Sequence, residues 1–322
     1  MDVVKHLMLL ICVSGSICFY NLGGARLWDE DEPRNAGCAV EMMDRGDWVT
    51  PYFNGEVRTH KPVLLYWFMI SAYGMFDVNE FSARFWSAAL AVGTVLLTWS
   101  IGYRLLGRRV GLLSGMALAS MLMFVVAARA ATPDSVLIFF ITASLAVYVW
   151  TTPLFGAPLR LGKKGTVSPS DSQTAFPETR SAIIVMYALM GIASLDKGPI
   201  GFLLPCAIIG MFLLIEQAPA GDTAIKKVVA VLHPVHFLKT CWSMRLGWMV
   251  CSILAVALPW YVWVTIRSDG EWTRGFFLEH NVGRAVNAME NHGGGPWFYP
   301  VALLVGTFPW SIYLIPLVLD LV

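Results

Sequence analysis

Apolar and charged positions in this chain are sorted into long blocks rather than short periods. Uncharged runs cover residues 7–25, 85–103, 110–128, 135–159, 181–195, 198–215, 246–266 and 293–319. Most are close to the ~20 apolar residues a helix needs to cross the hydrocarbon core. The pattern predicts an all-α polytopic membrane protein with about eight transmembrane helices, forming one domain over residues 1–322. The 181–195 run is short, so its helix is expected to begin or end in protein or in the interface. A further run, "PVLLYWFMISAYGMF" at 62–76, starts with Pro and is rich in aromatics, which suits a helix lying at the interface. Lys5 precedes the first run as it would in a signal peptide. "YNLGGARLW" offers no small-x-small cleavage site, however, so an uncleaved first helix is expected.

The loops between the runs set an orientation. With a cytoplasmic N-terminus, residues 26–84 form a first outer loop with interfacial helices, and 267–292 form the last outer loop. Residues 129–134 and 196–197 are short outer turns, and 160–180 and 216–245 are cytoplasmic loops. Lys and Arg divide almost evenly between the two sides, but the short loops decide. "RLLGRR" (104–109) and "RLGKKG" (160–165) are densely basic and belong inside.

Composition sharpens the class. The chain is 57% hydrophobic and 14% charged, against about 25% charged in soluble domains. A net charge of +1 without a basic face excludes a nucleic-acid partner. Cys12, Cys18, Cys206 and Cys251 fall inside the runs, and Cys38 and Cys241 lie in loops on opposite sides. Neither a disulfide framework nor a zinc knuckle is expected.

Every polar cluster with chemical promise falls on the outer face. Ionisable residues beside a bilayer are costly, and several converging from separate segments suggest one site. "DEDEPRNA" begins a helix, with Pro33 in its first turn and carboxylates at the positive end of the helix dipole. Ala36, Val40 and Met43 would supply its apolar stripe. Capping accounts for one or two acids, not for four followed by Arg34. "THKPVLLYW" brings His60 and Lys61 to the head of an interfacial helix, either as anchors or as a metal ligand and a phosphate-binding charge. "AARAATPDSV" sets Arg129 and Asp134 at two span ends, with Asp134 a helix-start residue. In "SLDKGPIGF", Asp196 and Lys197 either neutralise each other or bind water. "FFLEHNVGRAVNAMENHGGGPWFYP" holds Glu279, His280, Arg284 and His292, with Glu279, His280 and Arg284 able to share one helical side.

Taken together, "DEPRNA…EMMDRGDWVTPYFNGE…HKPVLLYW", Asp134 and "FFLEHNVGR…HGGGPWFYPVALLVGTFPW" resemble the lipid-linked-sugar glycosyltransferases of the GT-C superfamily. The similarity is greatest to its aminoarabinose lipid A transferase and protein O-mannosyltransferase branch, and runs from about residue 5 to 319. The resemblance implies a GT-C-like fold that moves a sugar from a polyprenyl-phosphate donor to a lipid or protein acceptor. The reaction would be a single inverting displacement on the periplasmic face of the cytoplasmic membrane. It implies catalytic roles for Asp31 and Asp134, and donor-phosphate contacts by Arg34, Lys61 and Arg284. It also implies a divalent metal ion on His60 and His280, although Glu is usual at position 60, and Val63 replaces the second Pro of the family's Lys-Pro-Pro. Glu32, Glu279 and His292 are further site candidates. Family members continue into an outer C-terminal domain, which is expected to be absent after "LVLDLV". Two alternatives stay open. A transporter or flippase would carry mid-span charges or inverted repeats. A non-catalytic lipid-phosphate-binding relative would keep the same motifs.

Overall fold

The structure, a computed structural model, describes residues 3–155, 174–218, 231, 233–283, 297–314, 316 and 319. Helices α1 (Val3–Phe19), α2 (Asp31–Arg45), α3 (Leu64–Phe76) and α4 (Glu80–Leu106) come first. A two-stranded hairpin, β1 (Tyr52–Phe53) and β2 (Glu56–Val57), separates α2 from α3. Then follow α5 (Arg108–Ser120), α6 (Leu122–Ala128), α7 (Asp134–Thr151), α8 (Arg180–Lys197) and α9 (Ile200–Glu216). Last come α10 (Pro234–Ser243), α11 (Leu246–Arg267), α12 (Glu271–Arg274), a π-helical run Gly275–Gly283 and α13 (Phe298–Gly306). Helix α4 packs against α1, α3, α5 and α7, and α8 packs against α7, α9 and α11, giving one helical bundle with the α2–α3 segment at one end.

By length and apolarity, α4, α7 and α11 can each cross a membrane among the described residues. The α5–α6 pair adds a fourth if it counts as one span, while α1, α3 and α9 are apolar but shorter. This is a multi-pass membrane architecture. Three details depart from the sequence expectation. The 110–128 run is not one straight helix but bends by 66°. At the bend Met121 is extended, and the Leu122 N–H donates to the Phe308 carbonyl at 2.9 Å instead of to its own helix. Asp196 and Lys197 are the last residues of α8 rather than a loop. Within the described part of the final run, 297–314, the chain forms α13 and then a 3₁₀ turn at Trp310–Tyr313 instead of one continuous helix.

Helix α2 starts earlier than Pro33, at Asp31, so the proline is its third residue. It still lies in the first turn, where no intrahelical N–H donor is needed. Its buried face is Asn35, Ala36, Cys38, Ala39 and Met42. Val40 and Met43 are only half-buried at its edge, so the apolar stripe is rotated from the one the sequence suggests. The helix is clasped by α3 and β1, with Met42, Tyr66, Met69 and Trp272 fully buried around it. Two indoles staple this end together. Trp260 Nε1 donates to the Val49 carbonyl and Trp272 Nε1 to the Arg58 carbonyl, both at 3.0 Å.

The most buried ion pair among the described residues joins Glu32, 2% exposed, and Arg84, 4% exposed. Arg84 Nε reaches Glu32 Oε1 at 2.9 Å and Nη2 reaches Oε2 at 2.7 Å. The remaining guanidinium N–H groups donate to the carbonyls of Leu22, Ala25 and Arg26. The carboxylate also accepts the backbone N–H of Trp28 at 2.9 Å and of Ala131 at 2.6 Å. Burial alone would push the Glu32 carboxyl up. The hydrogen bonds from Arg84, Ala131 and Trp28 outweigh it and hold the group below the usual carboxylate range.

Removing one partner strands a buried charge, so Arg84→Met should destabilise the protein by about 3 to 5 kcal/mol in detergent denaturation. Because the folded-state value of Glu32 is depressed, its contribution is present above the unfolded carboxylate value of about 4.3 and is lost as pH falls through the folded one. Tm should therefore drop on acidification, and with a shallower slope in Glu32→Gln. Equal slopes for both proteins would refute the pairing.

Candidate functional site

The four acids at the head of α2 have different environments. Asp29 holds a left-handed turn (φ 62°) and accepts the Glu30 N–H at 2.8 Å. Glu30 pairs with Arg34 at 2.8 Å across one helical turn. Glu32 is bound to Arg84, Trp28 and Ala131. Asp31 is exposed, and among the described residues nothing bonds its carboxylate. It sits in the first turn of α2, beside the residue that grips Ala131.

That grip ties α2 to the start of α7. The Ala131 peptide is held on both sides, its N–H by Glu32 and its carbonyl by Asn35 Nδ2 at 3.1 Å. Arg58 in turn donates to Asn35 Oδ1 at 3.2 Å and to the Tyr66 hydroxyl at 3.1 Å. Three residues beyond Ala131, Asp134 opens α7 and meets Lys197 Nζ at 2.5 Å. Lys197 thus reaches across to α7 and does not simply neutralise Asp196. Asp196 is fully buried, and neither of its oxygens has a hydrogen-bond partner among the described residues. Lys61 lies close enough for its charge to act on both aspartates.

A cavity of about 300 Å³ opens at this point, lined by His60, Lys61, Leu137, Lys197, Phe276 and His280 among others. The π-helical run supplies its far wall, and such runs recur at functional sites. Two glycines allow the close approach. A Cβ on Gly198, whose φ is +76°, would sit 2.5 Å from the Phe276 ring, and one on Gly275 would sit 2.7 Å from Thr59. As a result His60 and His280 face each other with ring centroids 4.1 Å apart and planes tilted by 36°.

Two imidazoles are what the described residues offer a metal. No third His, Cys, Asp or Glu joins them in a ligand set among those residues, whereas catalytic zinc sites take three protein ligands. The structure thus brings together Lys61, Asp134, His60 and His280, while Asp31 immediately precedes Glu32, which bonds the Ala131 N–H in the turn before α7. Arg34 is held on Glu30, and Glu279 is exposed on the π-helical run. Arg284 and His292 lie outside the described residues. Arg129 serves the fold: its Nη1 donates to the Ile17 carbonyl at 2.7 Å, near the end of α1. Lys197 and Asp196 are the additions. Their sequence signal was a pair of opposite charges between two apolar runs, which reads equally well as self-neutralising.

The model of the dolichyl-phosphate-mannose-protein mannosyltransferases matches residues 7–268. The chain belongs to that family. An uncharacterized protein of Aquifex aeolicus (strain VF5) is 33% identical over 95% of this chain and 52% of its own length. The undecaprenyl phosphate-alpha-4-amino-4-deoxy-L-arabinose arabinosyl transferase of Yersinia pestis (strain Pestoides F) is 25% identical over 88% of this chain and 44% of its own. The crystal structure of ArnT from Cupriavidus metallidurans bound to undecaprenyl phosphate superposes with a TM-score of 0.72. It is 23% identical and is matched over 98% of this chain and 51% of that one, a likeness that shows the GT-C fold. The chain spans about half the length of the curated relatives it matches.

Asp196 yields a direct check. The Asp196 carboxyl is buried with neither oxygen hydrogen-bonded among the described residues, so the isosteric Asp196→Asn gives up no hydrogen bond and should leave Tm unchanged or raise it. A loss larger than about 1 kcal/mol in thermal denaturation would instead assign that carboxylate a partner outside the described residues.

Proposed function

We propose that this chain is the membrane-embedded catalytic unit of a glycosyltransferase that takes its sugar from a polyprenyl-phosphate donor and passes it to a lipid or protein hydroxyl at the extracytoplasmic face. One observation carries the reading. Two lysines from separate segments, Lys61 and Lys197, line one cavity together with His60 and His280, and Lys197 pairs with Asp134 at the start of α7. Family membership and the named substrates of the relatives support it.

In this reading the donor's phosphate rests against Lys61 and Lys197, while its tail stays in the bilayer. Breaking the bond between the anomeric carbon and the phosphate oxygen leaves a phosphate dianion. Fixed cations in a partly desolvated pocket stabilise that growing charge more than they stabilise the ground state. Lys197 would then exchange Asp134 for the phosphate. Arg34 can join by leaving Glu30, since an exposed pair one helical turn apart is worth only about 0.3 to 0.5 kcal/mol. Arg284 belongs to the same proposal as a further phosphate contact, and a divalent metal, if His60 and His280 held one, would supply additional positive charge at the site. Asp31 takes the proton from the acceptor hydroxyl, whose oxygen forms the new bond to the anomeric carbon from the opposite face. The products are the inverted glycoside and polyprenyl phosphate.

The test is transfer of labelled sugar from a polyprenyl-phosphate donor in membranes containing the chain, alongside donor binding. Asp31→Asn should lower transfer by about 10²- to 10⁴-fold while donor binding survives. Lys61→Ala should weaken binding itself. Binding without transfer in the wild type would identify a lipid-phosphate-binding relative, and no binding at all would overturn the proposal.

A further inference from the structure

The bundle has a second polar cavity at its other end. Helix α8 runs from Arg180 to Lys197, so residues just before Arg180 lie about one membrane-crossing length from the charged cluster. There a cavity of about 640 Å³ is lined by Glu178, Gln217, Trp242, Ser243, Arg245 and Trp248, over a floor that includes buried Phe176. Its surroundings belong to a membrane interface. Helix α10 beside it leaves Val235, Phe237, Leu238 and Trp242 exposed, the apolar side of a helix lying flat on lipid. Helices α9 and α11 rise from the rim with Ile208, Met211 and Ile215, and Val250, Leu254 and Leu258, exposed to the hydrocarbon.

The charge arrangement specifies the occupant. Glu178 and Arg245 stand on the same cavity without forming an ion pair with each other. Glu178 takes only the Thr174 hydroxyl, at 2.7 Å, and no hydrogen bond or ion pair engages the Arg245 side chain among the described residues. Arg245 is held out in a left-handed conformation (φ 56°, ψ 53°) between α10 and α11. A carboxylate and a guanidinium that line one cavity without pairing complement a ligand that carries both signs. We infer that this cavity binds the headgroup of a zwitterionic, amine-bearing phospholipid of the leaflet opposite the charged cluster. Arg245 and Ser243 meet its phosphate, Glu178 meets its ammonium, and the Trp242 and Trp248 rings flank it. The acyl chains then lie along the exposed apolar faces of α9 and α11. The site is separate from the proposed sugar-transfer site and does not depend on that reading.

The test uses the whole chain purified in detergent, with native mass spectrometry and Tm read during titration with phosphatidylethanolamine or phosphatidylglycerol. Wild type should prefer phosphatidylethanolamine by about threefold, the scale of one exposed ion pair. Glu178→Gln should erase that preference, and Arg245→Gln should weaken both lipids. Both side chains are exposed, so the lipid-free Tm should not move. Equal binding of the two lipids by wild type, a preference for the anionic lipid, or indifference to both substitutions would each overturn the proposal.

Discussion

The buried pair of Glu32 and Arg84 is the contact on which the α2–α3 end of this protein depends. Neither charge could stay buried alone, since stranding an ion in a low-dielectric interior costs several kcal/mol. The pair is tolerable because its partners are nearly complete: five donor contacts from Arg84 and two backbone N–H groups received by Glu32. Those partners belong to four stretches of chain. The link between α1 and α2, α2 itself, α4, and the turn before α7 are therefore fixed relative to one another by a single polar knot.

The consequence for chemistry is indirect but specific. Glu32 and Asn35 together hold the Ala131 peptide, which sets where α7 begins and so where Asp134 stands. Asp31, one residue before Glu32, inherits a fixed place near that start while its own carboxylate remains uncommitted. Lys61 and Lys197 meet Asp134 and the buried Asp196 in one compact cluster. In the proposed reaction, arriving phosphate competes with Asp134 for Lys197.

Several parts of this were legible in the chain. The apolar blocks located most of the long helices because hydrocarbon-crossing length is a one-dimensional property. The charged motifs "DEDEPRNA", "HKP" and "LEHN" pointed to one face because a membrane sorts loops by side. The Asn54-Gly55 turn between β1 and β2 carries an ordinary hairpin signature, with both residues at positive φ. The bend at Met121 had no such signature. It is stabilised by the Phe308 carbonyl, almost two hundred positions away, and no Pro or Gly marks it.

The sequence by itself determined the membrane class, the family and the residue types at the site, since each depends on local composition or contiguous motifs. Tertiary structure decided which carboxylate does what. Four acids in a row look equivalent on paper, yet one shapes a turn, one pairs with Arg34, one is buried on Arg84 and one is left over. It also decided that Lys197 reaches Asp134 from another helix and that Asp196 is buried beside it. Those assignments depend on distances between helices far apart in the chain, and only packing fixes such distances.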